Sequence, residues 1–340
     1  MKIGFYMAWL KGSLDSKKNV LGDELYAQSL CKALNNLPGV EIAELYAPGY
    51  EPRENLDIMI YVNRTPPKKE IAKKHVLYLQ NAYSEGSYEV LKDLRQYGYD
   101  GYAFISNSLL KLHENDGFSG IFLPFGVDTS VFYPREVKRE YSFEVAYIGN
   151  DIKLDRTDKY LLPGAKFNFG LFGRWPEEKK ENCLIFFLKS LFKVLIGREK
   201  IKKYFTKKYK KEYKKVFPKI SRGKIKQEDA PVLYSSAKIN LNCTAQDCVD
   251  WNVITLRNFE VLACKGFLIS DKTPIAEIAL RDCIVFTDGG RDLEKKIKFY
   301  LQNEEARKRI SENGYNYVIK NATIDARARE LLEYIKTIIK

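Results

Sequence analysis

The chain reads as an α/β protein of two lobes, each a parallel β-sheet covered by helices, on three observations. Strand-like apolar runs alternate with helical patterns from the first residues onward. The length of 340 residues exceeds one ordinary core and suits two. The alternation is interrupted once, by a Pro- and Gly-punctuated stretch with a charged end at 124–141, and then starts afresh.

In the first half, strands are predicted at Lys2 to Met7, Val40 to Tyr46, Leu56 to Tyr61, His75 to Leu79, Gly101 to Ile105 and Gly120 to Leu123. Between the first two, GDELYAQSLCKALN (22–35) carries Leu25, Leu30 and Leu34 at helical spacing, so the opening unit is βαβ. The boundary is placed near Pro134 to Tyr141. Beyond it, strands are predicted at Phe143 to Ile148, Lys166 to Phe172, Ile239 to Asn242, Phe267 to Ser270 and Cys283 to Phe286. The tail from Asn303 to Lys340 reads as helix, broken near Gly314 and again near Asn321-Ala322-Thr323.

Composition narrows the class. With 45% hydrophobic and 13% aromatic residues, the chain has ample material for packed cores. A net charge of +13 suggests a nucleic-acid binder until its distribution is read. Lys189 to Lys226 holds sixteen Lys/Arg against Glu199 and Glu212, a local +14, which leaves the rest at about −1. The basicity belongs to one segment. Six cysteines form no Cys-x-x-Cys pair, and with only two histidines a zinc site is not expected. Buried, reduced thiols in a cytosolic protein are the plain reading. The apolar start is too short for a signal peptide and lacks a cleavage site, and no stretch reaches the ~20 apolar residues of a spanning helix.

The most informative stretch is WNVITLRNFEVLACKGFLISD (251–271), which reads as loop, short helix, tight turn and buried strand. Arg257 and Glu260 lie three apart on the helix and share one face near its N-terminus, where a phosphate and a ribose could be received together.

It is preceded by GKIKQEDAPVLYSSAKINLN (223–242) and followed by RISENGYNYVIKNATIDARA (309–328). This order resembles the "group 1" module of GT-B glycosyltransferases, and most closely the CgeB-like, spore-maturation-type branch, with its "R.FE..ACGGF...D" element. The linker LPFGVDTSVFYP and the helix at 22–35 extend the resemblance to about two thirds of the chain. It implies two Rossmann-like domains facing across a cleft, with the C-terminal helix crossing back to the N-terminal lobe. Residues 1–136, completed by 324–340, would bind the acceptor. Residues 137–323, with a basic amphipathic insert at 178–220, would bind the nucleotide-sugar. Two departures stand out: Asn252 occupies the place of the first carboxylate of the Glu-x7-Glu pair found in many retaining relatives, and Lys265 replaces a glycine.

Sugar transfer from a nucleotide needs a cationic or N–H-rich cradle, because negative charge grows on the leaving diphosphate. No Asp-x-Asp occurs in the chain, which fits the metal-free chemistry the resemblance implies. No cofactor beyond the nucleotide-sugar co-substrate is expected. Arg257, Arg174, Lys224 and the backbone of Gly149-Asn150 are the candidate phosphate donors, with Asn252 on the same donor side. Glu260 would bond the ribose hydroxyls, or stand as a structural ion pair with Arg257. Gly149 and Gly173 either end strands or admit phosphates to the backbone. Gly12, Gly22, Gln80 and Asn81 are the candidates for the acceptor side of the cleft, Gly22 either as part of a simple helix cap or as a helix N-terminus facing it. Asp15 is the best-placed carboxylate for a catalytic role, ahead of His75 and His113.

In the insert, LIFFLKSLFKVLI (184–196) and IKKYFTKKYKKEYKKVF (201–217) set an apolar face beside a lysine face. That pattern suits a helix lying on an anionic membrane. The alternatives are a solvated basic helix, or aromatics that stack nucleic-acid bases, which is the less favoured. The combined expectation is a metal-independent glycosyltransferase, peripheral at the cytoplasmic face of a membrane, acting on a cell-surface glycan or lipid-linked acceptor. A non-catalytic sugar-nucleotide- or glycan-binding protein of the same fold and a nucleic-acid-modifying glycosyltransferase are the other readings.

Overall fold

The computed structural model describes residues 1–9, 22–81, 86–175 and 211–340. The first part contains β1 (Lys2–Tyr6), α1 (Gly22–Asn35), β2 (Ile42–Tyr46), β3 (Leu56–Val62), β4 (Ala72–Leu79), α2 (Ser87–Arg95), β5 (Gly101–Phe104), α3 (Asn107–Asn115) and β6 (Ile121–Phe122). The second contains β7 (Val145–Ile148), α4 (Asp155–Tyr160), β8 (Phe169–Phe172), α5 (Tyr213–Ile220), α6 (Ala230–Ser236), β9 (Ile239–Asn242), α7 (Gln246–Asp250), α8 (Leu256–Ala263), β10 (Leu268–Asp271), α9 (Pro274–Ala279) and β11 (Val285–Thr287). It closes with α10 (Gly290–Gln302), α11 (Glu304–Asn321) and α12 (Ile324–Ile339).

Two wholly parallel sheets result, in the orders β2-β1-β3-β4-β5-β6 and β11-β10-β9-β7-β8. Alternation within the strands explains why both faces of the first sheet are covered. Ile58, Ile60 and Val62 pack toward α1, whereas Met59 and Tyr61 enter a second core with Leu91 and Leu109. Each sheet reverses its strand order once, between β1 and β3 and between β7 and β9. Those reversals open crevices at the carboxyl ends of the strands, where such sheets take their ligands.

The two lobes are tied together by the last helix. Ala328, Leu331, Leu332 and Ile335 share the core of Ile3, Phe5 and α1's Leu30 and Leu34. The crossing point is pinned by Val127 N–H on Ala322 O (2.8 Å) and Ile324 N–H on Val127 O (2.8 Å). Thr323 caps α12 by accepting from Ala326 N–H at 3.2 Å.

Three expectations are corrected. Gly314 does not break the tail: it lies buried inside α11, where an added Cβ would sit 2.5 Å from Leu262 Cδ2 and 2.9 Å from Cys283 O. Its lack of a side chain serves helix packing. The strand expected from Lys166 begins at Phe169, because Leu162–Lys166 forms a 3-10 turn. The apolar face predicted for the end of the insert is not free either. Tyr213 and Phe217 are fully buried against Trp175 and Phe169 in the core of the second lobe. The insert's residues 178–210 lie outside the described residues, as do Gly12 and Asp15.

Of the cysteines, Cys31, Cys243, Cys264 and Cys283 are buried, Cys248 is half-buried, and all five are free. Among the described residues, no helix is long and apolar enough to cross a membrane, and no group of three His, Cys, Asp or Glu is placed to hold a metal ion.

Candidate functional site

A cavity of about 310 Å³ opens between the lobes. It brings together eight of the residues singled out from the sequence: Gly22 from the first lobe and Gly149, Asn150, Gly173, Arg174, Lys224, Arg257 and Glu260 from the second. The linker contributes Val127, Asp128 and Phe132, and Asp128 is held to α1 by Ser29 Oγ at 2.9 Å.

Arg257 stands at the crevice between β7 and β9. Its Nη1 donates to Asn242 Oδ1 at 3.0 Å, and its guanidinium lies 4.9 Å from the centre of the Tyr147 ring. Asn242, the last residue of β9, is itself fixed by donating to Ser270 Oγ (3.0 Å) and Thr244 Oγ1 (3.2 Å). Thr244 in turn donates its backbone N–H and hydroxyl to the buried carboxylate of Asp271, which also pairs with Arg156. One buried network therefore orients the arginine while leaving its charge at the cavity. Lys153 adds a second cation nearby; burial and then the charge of Arg257 push its ammonium below the usual lysine range.

Glu260 lies one turn along α8, with Tyr234 Oη 3.4 Å from its Oε2. Burial raises its carboxyl to about 7, against the opposing pull of Arg257. The charge of Arg257 acts on the Glu260 carboxyl, as both the ribose-binding and the ion-pair readings require. The arrangement sets a guanidinium and a buried carboxyl side by side at one cavity.

Gly149 and Gly173 meet back to back. Gly173 has φ +127°, and an added Cβ would overlap Gly149 O at 2.0 Å, so both the backbone angle and the close approach require glycine there. Asn150 accepts from Arg174 N–H at 2.9 Å and stabilises the same turn, leaving the Arg174 side chain exposed at the cavity.

Other candidates fall elsewhere. Asn252 does not line the cavity: it adopts φ 56°, and its Oδ1 accepts from Ile275 N–H at 2.7 Å, holding the start of α9. Gln80 and Asn81 directly follow β4 and do not line the cavity. His75 Nδ1 is 3.1 Å from Tyr61 Oη in the core. His113 packs among Tyr102, Phe104 and Phe118, and burial, then Arg95, lowers it to about 4. Both histidines are structural. Sequence reading missed Asn242, Tyr147 and Lys153. A polar residue closing the buried run INLN, and a lysine four beyond Gly149, were the signals available.

Comparison with known proteins bears on the fold and the family. The solved structures it matches include sucrose-phosphate synthase from Thermosynechococcus elongatus, at 12% identity and TM-score 0.65, with 98% of each chain covered. Anabaena HepE in complex with UDP-glucose matches at 11% identity and TM-score 0.63 over 99% of this chain and all of that one. T4 phage BGT in complex with its UDP-glucose substrate matches at 14% and 0.59 over the whole of both. At these identities the likeness is one of fold, the two-lobed GT-B architecture. No functionally curated protein matches the sequence. Residues 164–333, half of the chain, match the model of the glycosyl transferase-like family. The chain therefore belongs to the glycosyl transferase-like family and is a glycosyltransferase of GT-B fold.

Proposed function

We propose that the chain transfers a sugar from a nucleotide-sugar held by the second lobe to a glycan or lipid-linked glycan acceptor held by the first. The observation that carries this reading is the convergence of Arg257 and Glu260 on one cavity at the β7/β9 crevice, with Gly22 of the opposite lobe on its far wall. Arg257, with Lys153 behind it, takes the charge that builds on the leaving diphosphate, and Glu260 bonds the ribose hydroxyls. Arg257, Arg174 and Lys224 around one cavity support a reading of transfer without a metal. Two of the matched structures hold UDP-glucose, so UDP-glucose is the first donor to test.

The order of the three motifs supports placement in the CgeB-like branch. Contact with an anionic membrane from the cytoplasmic side would fall on residues 184–210, since the aromatics at 213 and 217 serve the core. The test is release of free UDP from UDP-glucose, and then from a panel of other nucleotide-sugars, with glycan and glycolipid extracts as acceptors and with EDTA present. Nucleotide released in step with sugar incorporation supports the reading; binding of donor with no turnover on any extract overturns it in favour of a binding protein.

A further inference from the structure

Tyr213, one of the tyrosines spaced among lysines in the basic stretch, is bound to the segment that follows β7. Its ring is fully buried against Trp175 and Phe217. Its hydroxyl donates to Asp151 Oδ1 at 2.6 Å, and its backbone N–H donates to Asp158 Oδ1 at 2.8 Å. Lys211, two residues earlier, pairs with Asp155. Three carboxylates of the segment 151–158 are thereby held by residues far later in the chain. Phenylalanine would fill this core as well as tyrosine does, so packing alone does not account for the hydroxyl.

Asp151 stands at the edge of the cavity. Gly149, Asn150 and Arg174 line it, whereas Asp151 does not. The turns after β7 and β8 interlock at this point: Asp151 N–H donates to Arg174 O at 3.0 Å, and Arg174 N–H donates to Asn150 Oδ1 at 2.9 Å. The backbone of Asp151 is thus fixed by the neighbouring turn, and its carboxylate is fixed by Tyr213 on the core side. Rotation of that carboxylate toward Arg174, Lys224 and Arg257 would put a negative charge among the cavity's cations, where it competes with any anionic ligand. The Tyr213 hydroxyl opposes this rotation. Burial, and then the bond to Asp151, raise its pKa above the usual tyrosine range, so it stays protonated and donates.

We propose that Tyr213 is a positioning residue for the nucleotide diphosphate: its hydroxyl holds the Asp151 carboxylate on the core side of the turn, which keeps the cavity's cations free for the phosphates. The proposal rests on the donor reading above and adds to it a residue from the lysine-rich stretch. Tyr213 touches no substrate; it acts through the charge and direction of Asp151.

The test measures binding of UDP, GDP and ADP to the full chain by calorimetry. Wild type should bind at least one of them. Tyr213→Phe keeps the ring and loses the hydroxyl, and should weaken that binding about tenfold. The ratio to wild type should shrink as salt rises from about 50 to about 500 mM, because the loss is electrostatic. Adding Asp151→Asn to Tyr213→Phe removes the charge and should return affinity to within about twofold of wild type. A bond that merely braced the fold predicts the reverse, a double variant no better than the single one. Phe217→Leu thins the same core without touching Asp151, and should lower the melting temperature while leaving diphosphate affinity within about twofold. Tyr213→Phe at wild-type affinity, or a double variant as weak as Tyr213→Phe, overturns this proposal and leaves the donor reading standing. A folded wild type that binds none of the three diphosphates overturns the donor reading, and the proposal with it.

Discussion

Arg257 and Asn242 are joined by a 3.0 Å hydrogen bond that couples a helix facing the cleft to the end of the central strand β9. The bond directs the guanidinium to the crevice where the strand order reverses, and the buried Thr244–Asp271–Arg156 network behind Asn242 keeps it there. Arg257→Ala should lower nucleotide release about 100- to 1,000-fold, the usual cost of removing one preorganised charge-stabilising donor. Asn242→Leu keeps the charge and frees its direction, so a loss of about fivefold, mostly in kcat, is expected. Steady-state assays on both variants check the pair; equal rates in wild type and Arg257→Ala would remove the phosphate assignment.

Donor binding is expected to depend on pH through Glu260. Burial raises its carboxyl from 4.5 to about 7, and ribose hydroxyls bond best to the ionised form. Affinity for UDP-glucose, whose diphosphate does not titrate in this range, should rise with pH between 5.5 and 7 by up to about tenfold per unit and then level off. Glu260→Gln should flatten the profile. In the free protein the sign is opposite: the folded state holds this proton where the unfolded chain has lost it, so the group's contribution to stability falls as pH rises from 4.5 to about 7. Calorimetric titration and melting curves across this range measure the two slopes.

Gly314→Ala sets helix propensity against packing. Alanine gains roughly 0.5–1 kcal/mol within a helix, but its Cβ would press on Leu262 and the Cys283 carbonyl. Overpacking of this kind costs about 1–3 kcal/mol, so a net loss and a lower melting temperature are expected. An unchanged or higher melting temperature would show that α11 can move away from α8.

Ile335 is fully buried in the first lobe's core although it lies in the chain's last helix. Ile335→Ala should destabilise by about 2–5 kcal/mol, and the loss should appear in the lobe built from residues 1–122. Hydrogen exchange resolved by segment distinguishes this from loosening confined to α12.

Membrane contact, if it belongs to residues 184–210, should survive changes at the buried aromatics. Deleting 184–210 should abolish sedimentation with vesicles of one-third phosphatidylserine, whereas matched neutral vesicles should bind neither form. Retained sedimentation after the deletion ends that assignment.

Much of the fold was legible in the sequence, because eleven apolar runs alternating with helical spacing reproduce in order as the eleven parallel strands of the described residues. Local pattern carries this information: a strand buried on both faces must be apolar along its length. Arg257 and Glu260 were legible for the same reason, since a helix sets residues three apart on one face. Gly314 was misread because a glycine that ends a helix and one that admits a neighbouring helix look alike in one dimension. Tyr213 and Phe217 were assigned to a membrane because amphipathic spacing names an apolar face and not what covers it.

What the sequence determined by itself is the architecture of two α/β lobes and the pairing of Arg257 with Glu260 on one helix face of the second, each encoded by residues near one another in the chain. What only the tertiary structure decided is the assembly of sites from distant segments. Asn242 meets Arg257 across fifteen positions, Tyr213 meets Asp151 across sixty-two, and α12 returns to a core begun by Ile3. Those pairings depend on strand order, and strand order follows from how two sheets bury their faces together, a property of the packed whole.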